Sequence, residues 1–344
     1  PKYLPDNTGN ILSENNVVTI SLEQKMGLHG SPTAVLEYNN AKAWLIGEEN
    51  RGMGAMFTMM NNARLGVGVQ GLSQSELAVQ KAFDYANQRK QGRNLSSPQD
   101  VKTEIINHAD VRRNLLMMKS LTFVSRSLCF DTAISSDLAK INNDMELHER
   151  VSFLTPIAKA FCTDVGCKVA DLCIQVHGGI GYIEDAGISQ LYRDVRITAI
   201  YEGTNGIQAM DLVGRKLGSD GHVGYKIIEE IIDSENLAAS ISPELVEQVL
   251  KARENVTKAL DWMVSQNDLN ERFSGAGLFL NAFALLLGAN YVLKSILVSK
   301  DRRRKELADF YIFQILPYAS VEASLSCQGS NHFFGATGTF SDKT

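Results

Sequence analysis

Between Glu48 and Val176 the chain is a succession of long runs whose apolar residues recur at spacings of three and four, a period that restricts the fold more than any other feature. The first run, MGAMFTMMNNARLGVGVQGLSQSELAVQKAFDYANQRK, contains no Pro and predicts one long helix, or two, ending near Lys90. QGRNLSSPQD interrupts it with Gly, Ser and Pro, and VKTEIINHADVRRNLLMMKSLTFVSRSLCFDTAISSDL resumes the pattern. A third run, from about Glu146 to Val176, stops at the Gly178-Gly179 pair. Long helices joined by short polar breaks predict an antiparallel bundle, here ending near Leu217.

The flanks differ. Residues 1 to about 47 are rich in Asn, Gly and Pro and carry short alternating runs, VVTISLE and AVLEY, which read as strands of a partial β domain. Two or three strands bury little by themselves and need a cover. After the linker GSDGHVG, residues 218–344 show further amphipathic helices, including SPELVEQVLKARENVTKALDWMV with its Ser-Pro start, and predict an additional helical domain. The expected fold is therefore mainly α: a partial β domain (1–47), a helical bundle (48–217), then a further helical domain and tail. The basic run from Asp301 to Glu306 reads as solvated surface.

Lys and Arg number 34 against 39 Asp and Glu, so no global basic field favours nucleic acid or an anionic membrane. No apolar run is read as approaching the roughly 20 residues of a membrane span. The start, PKYLPDNTGN, lacks the regions of a signal peptide and an initiator Met, which suggests a fragment or a processed part of something larger. The five cysteines show no CxxC pairing, and their odd number argues against a complete disulfide framework and for a reducing, cytoplasmic setting. Cys162, Cys167 and Cys173 lack a zinc-like spacing and read as buried structural thiols, so no metal is assigned.

Chemistry concentrates in QVHGGIGYIEDAGISQLYRDVRITAIYEGTNGIQ, residues 175–208. GGIGY alone is a helix stop, since it has neither Walker nor Rossmann spacing. Glu202 follows the apolar run ITAIY and precedes polar, flexible Gly203-Thr204-Asn205-Gly206. Desolvation there would strengthen its carboxylate as a base towards a weakly acidic C–H bond. Equally, Glu202 reads as a surface carboxylate near a helix N-terminus. The residues alone leave both open.

From Lys25 to about Leu217 the chain resembles the acyl-CoA dehydrogenases, through KMGLHGSPTA, GEENRGMGAMFTMMNNARLGVGVQGL, QRKQGR, QVHGGIGY and YEGTNGIQ in the family's order. The resemblance implies the end of that family's middle β domain followed by its C-terminal four-helix bundle. It also implies dehydrogenation of an acyl-CoA thioester to the 2-enoyl-CoA, with FAD as cofactor and an electron-transfer flavoprotein as acceptor. Glu202 would take the α-proton, and its backbone N–H would help polarise the thioester carbonyl. The position where some relatives carry the base instead, before the Arg of the first bundle helix, is Ala63 here. Gly203 would line the substrate channel, and Arg64 would support the shape of the active site or pair structurally with a carboxylate. Arg89, Gln91, Gln175, Gly178 and Gly179 would reach the pyrophosphate and adenosine of FAD bound mainly by a neighbouring subunit, with Thr204 touching FAD from the loop. A homo-oligomer is expected accordingly.

Three positions depart from the family pattern: Gly92-Arg93 replaces Phe-Gly, the segment to His108 is longer, and Gly206 stands where a Gln is usual. Gly92-Arg93, IINHADVRR and the extra C-terminal helices resemble the branch that includes 3-methylmercaptopropionyl-CoA dehydrogenases. Two other readings remain beside dehydrogenation: a non-catalytic assembly subunit, and an acyl-CoA oxidase reoxidised by oxygen.

Overall fold

A computed structural model describes residues 1–93 and 102–336, so most of the polar break after Arg93 and the end of the Gly-rich tail lie outside the described residues. The chain forms two units, Pro1–Asn62 and Ala63 onward.

In the first unit, strands β1 (Tyr3–Pro5) and β2 (Ile11–Glu14) form one antiparallel pair, and β3 (Val17–Leu22) and β4 (Ala34–Tyr38) form another. The alternating runs predicted as strands are β3 and β4. Asn15, at the junction of the two hairpins, bonds the Pro1 carbonyl at 2.7 Å and both the carbonyl and N–H of Lys42 at 2.8 Å. A two-stranded ribbon cannot enclose a core, and Ile11, Leu12, Ile20 and Leu36 are exposed.

Helix α1 (Gly52–Gln88) begins in this unit and enters the second at Ala63. Beyond it, β5 (Lys90–Arg93) pairs with β6 (Lys102–Glu104). Helices α2 (Ala109–Asn142) and α3 (Met145–His177) follow; α3 matches its predicted span, whereas the pattern read through VKTEIINHADVRR becomes α-helix only at Ala109, beyond β6 and a single tight turn at Ile105–Asn107. The turn between them is two residues, Asn143 in the left-handed conformation and Asp144 as N-cap, which folds α3 back antiparallel onto α2. Against α1, α3 runs parallel: Gly68 faces Ala158, Gly71 faces Cys162, Cys173 bonds the Ala78 carbonyl and Tyr85 stacks on His177. The approach is close because glycine is there; a Cβ at Gly71 would lie 2.4 Å from the Cys162 carbonyl oxygen.

Short helices α4 (Gly179–Tyr182), α5 (Ile188–Val195) and α6 (Asn205–Asp211) return along the bundle. Then come α7 (His222–Ala238), α8 (Pro243–Ser265), α9 (Leu269–Val298), α10 (Arg302–Gln314), α11 (Pro317–Ser326) and α12 (Asn331–Phe334). Pro243 opens α8, as its Ser-Pro start predicted. The basic run is indeed solvated, with Asp301 capping α10 and Arg302 pairing with Glu306.

The reading that no apolar run approaches a membrane span needs correcting, since Leu269–Val298 is long and apolar enough to cross one. Yet 78% of its most apolar window is buried, and α9 packs on α2, α3, α6, α7, α8, α10 and α11. Its hydrophobicity serves as a core, apolar nearly all round because neighbours surround it.

Candidate functional site

Glu202 ends a descending turn in which the Ile200 and Tyr201 N–H groups donate to the Ile197 carbonyl. Its own φ is 56° and that of Gly203 is 85°, two consecutive left-handed residues. For a residue with a Cβ this conformation costs roughly 1–2 kcal/mol, so neighbours must impose it. Three side chains do so. Gln208, fully buried on α6, donates to the carbonyls of Glu202 (3.3 Å) and Gly203 (3.1 Å). Lys159, fully buried on α3, donates to the Gly203 carbonyl at 2.8 Å and to Asn205 Oδ1 at 2.9 Å. Asn205 in turn donates to the Ala160 carbonyl, Thr163 Oγ1 and Asp164 Oδ1.

Thr204 Oγ1 caps α6 by accepting from the Ile207 N–H. The backbone after Glu202, read from the sequence as flexible, is thus anchored to α3 and ordered into a helix start. Glu202 itself is half-buried, and its backbone N–H makes no hydrogen bond among the described residues. Tyr201 beside it donates its hydroxyl to Gln70.

Behind the loop, Arg64 is 3% exposed and donates to Asp211 Oδ2 at 2.8 Å. Of the two roles considered for it, the pairing with a carboxylate is the one seen. Its Nε and the Gln208 Oε1 are buried without partners among the described residues. Burial pushes the Lys159 pKa down to about 8; Arg64 adds to this, while Asp164 and Glu202 act against it.

Lys159, Asn205 and Gln208 escaped the sequence reading. The available signal for Lys159 was a lone cation in the apolar run LTPIAKAFC, where a long cationic side chain has no obvious route to water.

The remaining predicted residues gather elsewhere. Tyr85 and His177 stack with ring centroids 4.4 Å apart, bringing together the ends of α1 and α3. There Arg89 and Gln175 are exposed, the Arg89 N–H bonds the Tyr85 carbonyl, and the Arg89 guanidinium lies 3.5 Å from Gln91 Oε1. The Gln91 carbonyl and His108 Nε2 are 2.7 Å apart, and Gly92 is left-handed at φ 71°. Gly178 (φ 61°) and Gly179 are open, since a Cβ on either would meet nothing within 4 Å. At about 1.5 Å per residue, Lys159 and His177 stand about 27 Å apart along α3. The structure therefore separates the nominated residues into two groups: Glu202, Gly203, Thr204 and Arg64 near Lys159, and Arg89, Gln91, Gln175, Gly178 and Gly179 at the far end.

Residues 50–217 match the model of the acyl-CoA dehydrogenase C-terminal domain. The 3-methylmercaptopropionyl-CoA dehydrogenase of Ruegeria pomeroyi is 40% identical over 289 residues, covering 81% of this chain and 49% of that protein. Caenorhabditis elegans ACDH-11 in complex with C11-CoA superposes with a TM-score of 0.73 at 21% identity, over 94% of this chain and 58% of that one. An acyl-CoA dehydrogenase complexed with FAD from Bacillus anthracis gives a TM-score of 0.71 at 20% identity, over 90% and 56%. At those identities the two structures speak to fold alone. The chain spans about half the length of the curated relative it matches.

Proposed function

The chain belongs to the acyl-CoA dehydrogenase family, whose C-terminal domain its residues 50–217 form, and on that basis we propose that it acts in the FAD-dependent oxidation of a short acyl-CoA thioester to the 2-enoyl-CoA. The observation that carries the proposal is the left-handed Glu202–Gly203 turn, fastened from behind by Lys159 and Gln208 so that a carboxylate is offered at a fixed place. Glu202 accepts the proton from the carbon next to the thioester carbonyl. Its unengaged N–H donates to the carbonyl oxygen, on which negative charge grows as that proton leaves. Bound FAD supplies the acceptor for the hydride from the β-carbon, which leaves the α,β double bond. The acyl chain, lying over half-buried Glu202, would exclude water from the proton transfer.

The far group fits FAD. Gly178 and Gly179 leave open space for close backbone approach, and the exposed Arg89 guanidinium presents the flat fork that suits a pyrophosphate. Because about 27 Å separates that group from Lys159, we assign the two groups to different active sites in an assembly of copies. Phe130, Ile134, Leu138 and Ile141, an exposed apolar stripe along one face of α2, support such association. A monomer in size-exclusion chromatography would overturn it. Transfer of electrons to an electron-transfer flavoprotein and a cytoplasmic setting complete the proposal, the latter in keeping with five free thiols.

The test is the visible absorbance of the flavin-loaded protein on anaerobic addition of butyryl-CoA. Bleaching by wild type that Glu202→Gln reduces by at least about a thousandfold in rate is expected. Flavin that binds but does not bleach with any short acyl-CoA would remove the dehydrogenase reading.

A further inference from the structure

We infer that Lys159 positions the base: its buried ammonium fixes the Gly203 carbonyl and the Asn205 side chain, and so keeps Glu202 in the left-handed turn that presents its carboxylate. The inference rests on the dehydrogenase reading of Glu202 and goes beyond it, because Lys159 lies within α3 and reaches the loop only through the backbone next to Glu202 and through Asn205.

Lys159 is fully buried, yet among the described residues no carboxylate lies within salt-bridge distance of its ammonium. Asp211, buried beneath Arg64, is engaged by Arg64 and Arg215. A cation left in the interior on two neutral acceptors is an expensive arrangement, and a hydrocarbon side chain would fill the same space without that cost. What the ammonium adds is a charge-assisted hold on a strained loop. Without it the Gly203 carbonyl keeps only Gln208 Nε2, at 3.1 Å, and Asn205 Oδ1 keeps Thr163 Oγ1, at 3.3 Å.

The groups that face the ammonium are Asp164 on α3, Arg64 on α1 and Glu202 in the loop. Burial, reinforced by Arg64, brings its loss of charge down to about pH 8. Above that pH the hold weakens to ordinary neutral hydrogen bonds.

The experiment is amide hydrogen–deuterium exchange of the full chain, comparing wild type with Lys159→Met and Lys159→Arg, beside kinetics of the flavin-loaded enzyme. In Lys159→Met the hydrogen-bonded amides that flank the turn, those of Ile200, Tyr201, Ile207 and Gln208, are expected to exchange about tenfold faster with those of α2 unchanged. The kcat should fall about tenfold or more while KM moves less than about threefold. Lys159→Arg, which keeps its charge, should restore part of the protection and extend activity to higher pH. Unchanged loop protection in Lys159→Met overturns the inference. If Lys159→Met loosens the whole bundle, Lys159→Gln, which keeps a shorter neutral donor, takes its place: faster exchange at Ile200, Tyr201, Ile207 and Gln208 with α2 unchanged is expected, and unchanged exchange at those amides overturns the inference. Exchange is read without flavin or thioester, so a loop that loosens as expected in a protein that never bleaches would sink the dehydrogenase reading while the hold of Lys159 on the loop stood.

Discussion

At the scale of single residues, glycines decide how closely the helices approach, and they do not all matter alike. Gly71 sits where a Cβ would meet the backbone of Cys162 and Thr163 at 2.4 to 2.9 Å, whereas a Cβ at Gly66 on the same helix would meet nothing within 4 Å. Gly71→Ala should destabilise the bundle by about 1–3 kcal/mol or more through overpacking. Gly66→Ala should stabilise it by roughly 0.5–1 kcal/mol through helix propensity. Denaturant titration of the two variants checks both signs, and equal effects would contradict the parallel α1–α3 crossing. None of this was legible in ARLGVGVQGL, because sequence shows that glycine is present but not which neighbour requires it. Glu202 was nominated through its motif, whereas Lys159 and Gln208 offered no such signal, because their hydrogen bonds go to backbone carbonyls brought to them by the fold.

At the scale of elements, the long helices were legible because their burial follows the periodicity read from the sequence: α3 runs from Met145 to His177 against an expectation of about Glu146 to Val176. What the period could not supply was partners, so α1 and α3 docking in parallel came only with the structure. Their far ends are joined by Tyr85 on His177, a buried imidazole whose pKa is lowered chiefly by desolvation. The unfolded chain takes up a proton as pH falls through about 6.5, while the buried ring resists until lower pH, so the unfolded state binds more protons in that window. Stability should therefore drop on acidification below about 6.5, with a slope from this group of at most about 1.4 kcal/mol per pH unit. Melting temperatures of wild type and His177→Gln from pH 7.5 to 5 should converge as pH falls, and a constant gap would exclude His177 as the source.

At the scale of the molecule, the segment after Leu217 was expected as a further helical domain, and the structure shows what it contributes to the bundle. Helix α9 lays its apolar surface on α2, α3 and α6, and Phe283 meets Phe153 of α3 edge to face at 5.2 Å between centroids. A polar knot reinforces the joint: Asp131 of α2 accepts from Arg150 of α3 and from Tyr291 of α9, while Arg150 also reaches Glu230 of α7. Removing α7 to α12 would leave Asp131 and Arg150 paired with each other but without Tyr291 and Glu230, and would bare the α9-facing surfaces of α2 and α3. Phe153, Leu154 and Ile157 are at present wholly buried, and each large side chain returned to water costs about 1.5–3 kcal/mol. A few such exposures together are of the order of the 5–15 kcal/mol that stabilises an ordinary domain. A chain ending at Leu217 should therefore lose its cooperative thermal transition and bind a hydrophobic dye, although it retains the family's whole matching region. A sharp transition in that shortened chain would mean that residues 63–217 hold themselves together, and that α9 covers a surface already stable without it.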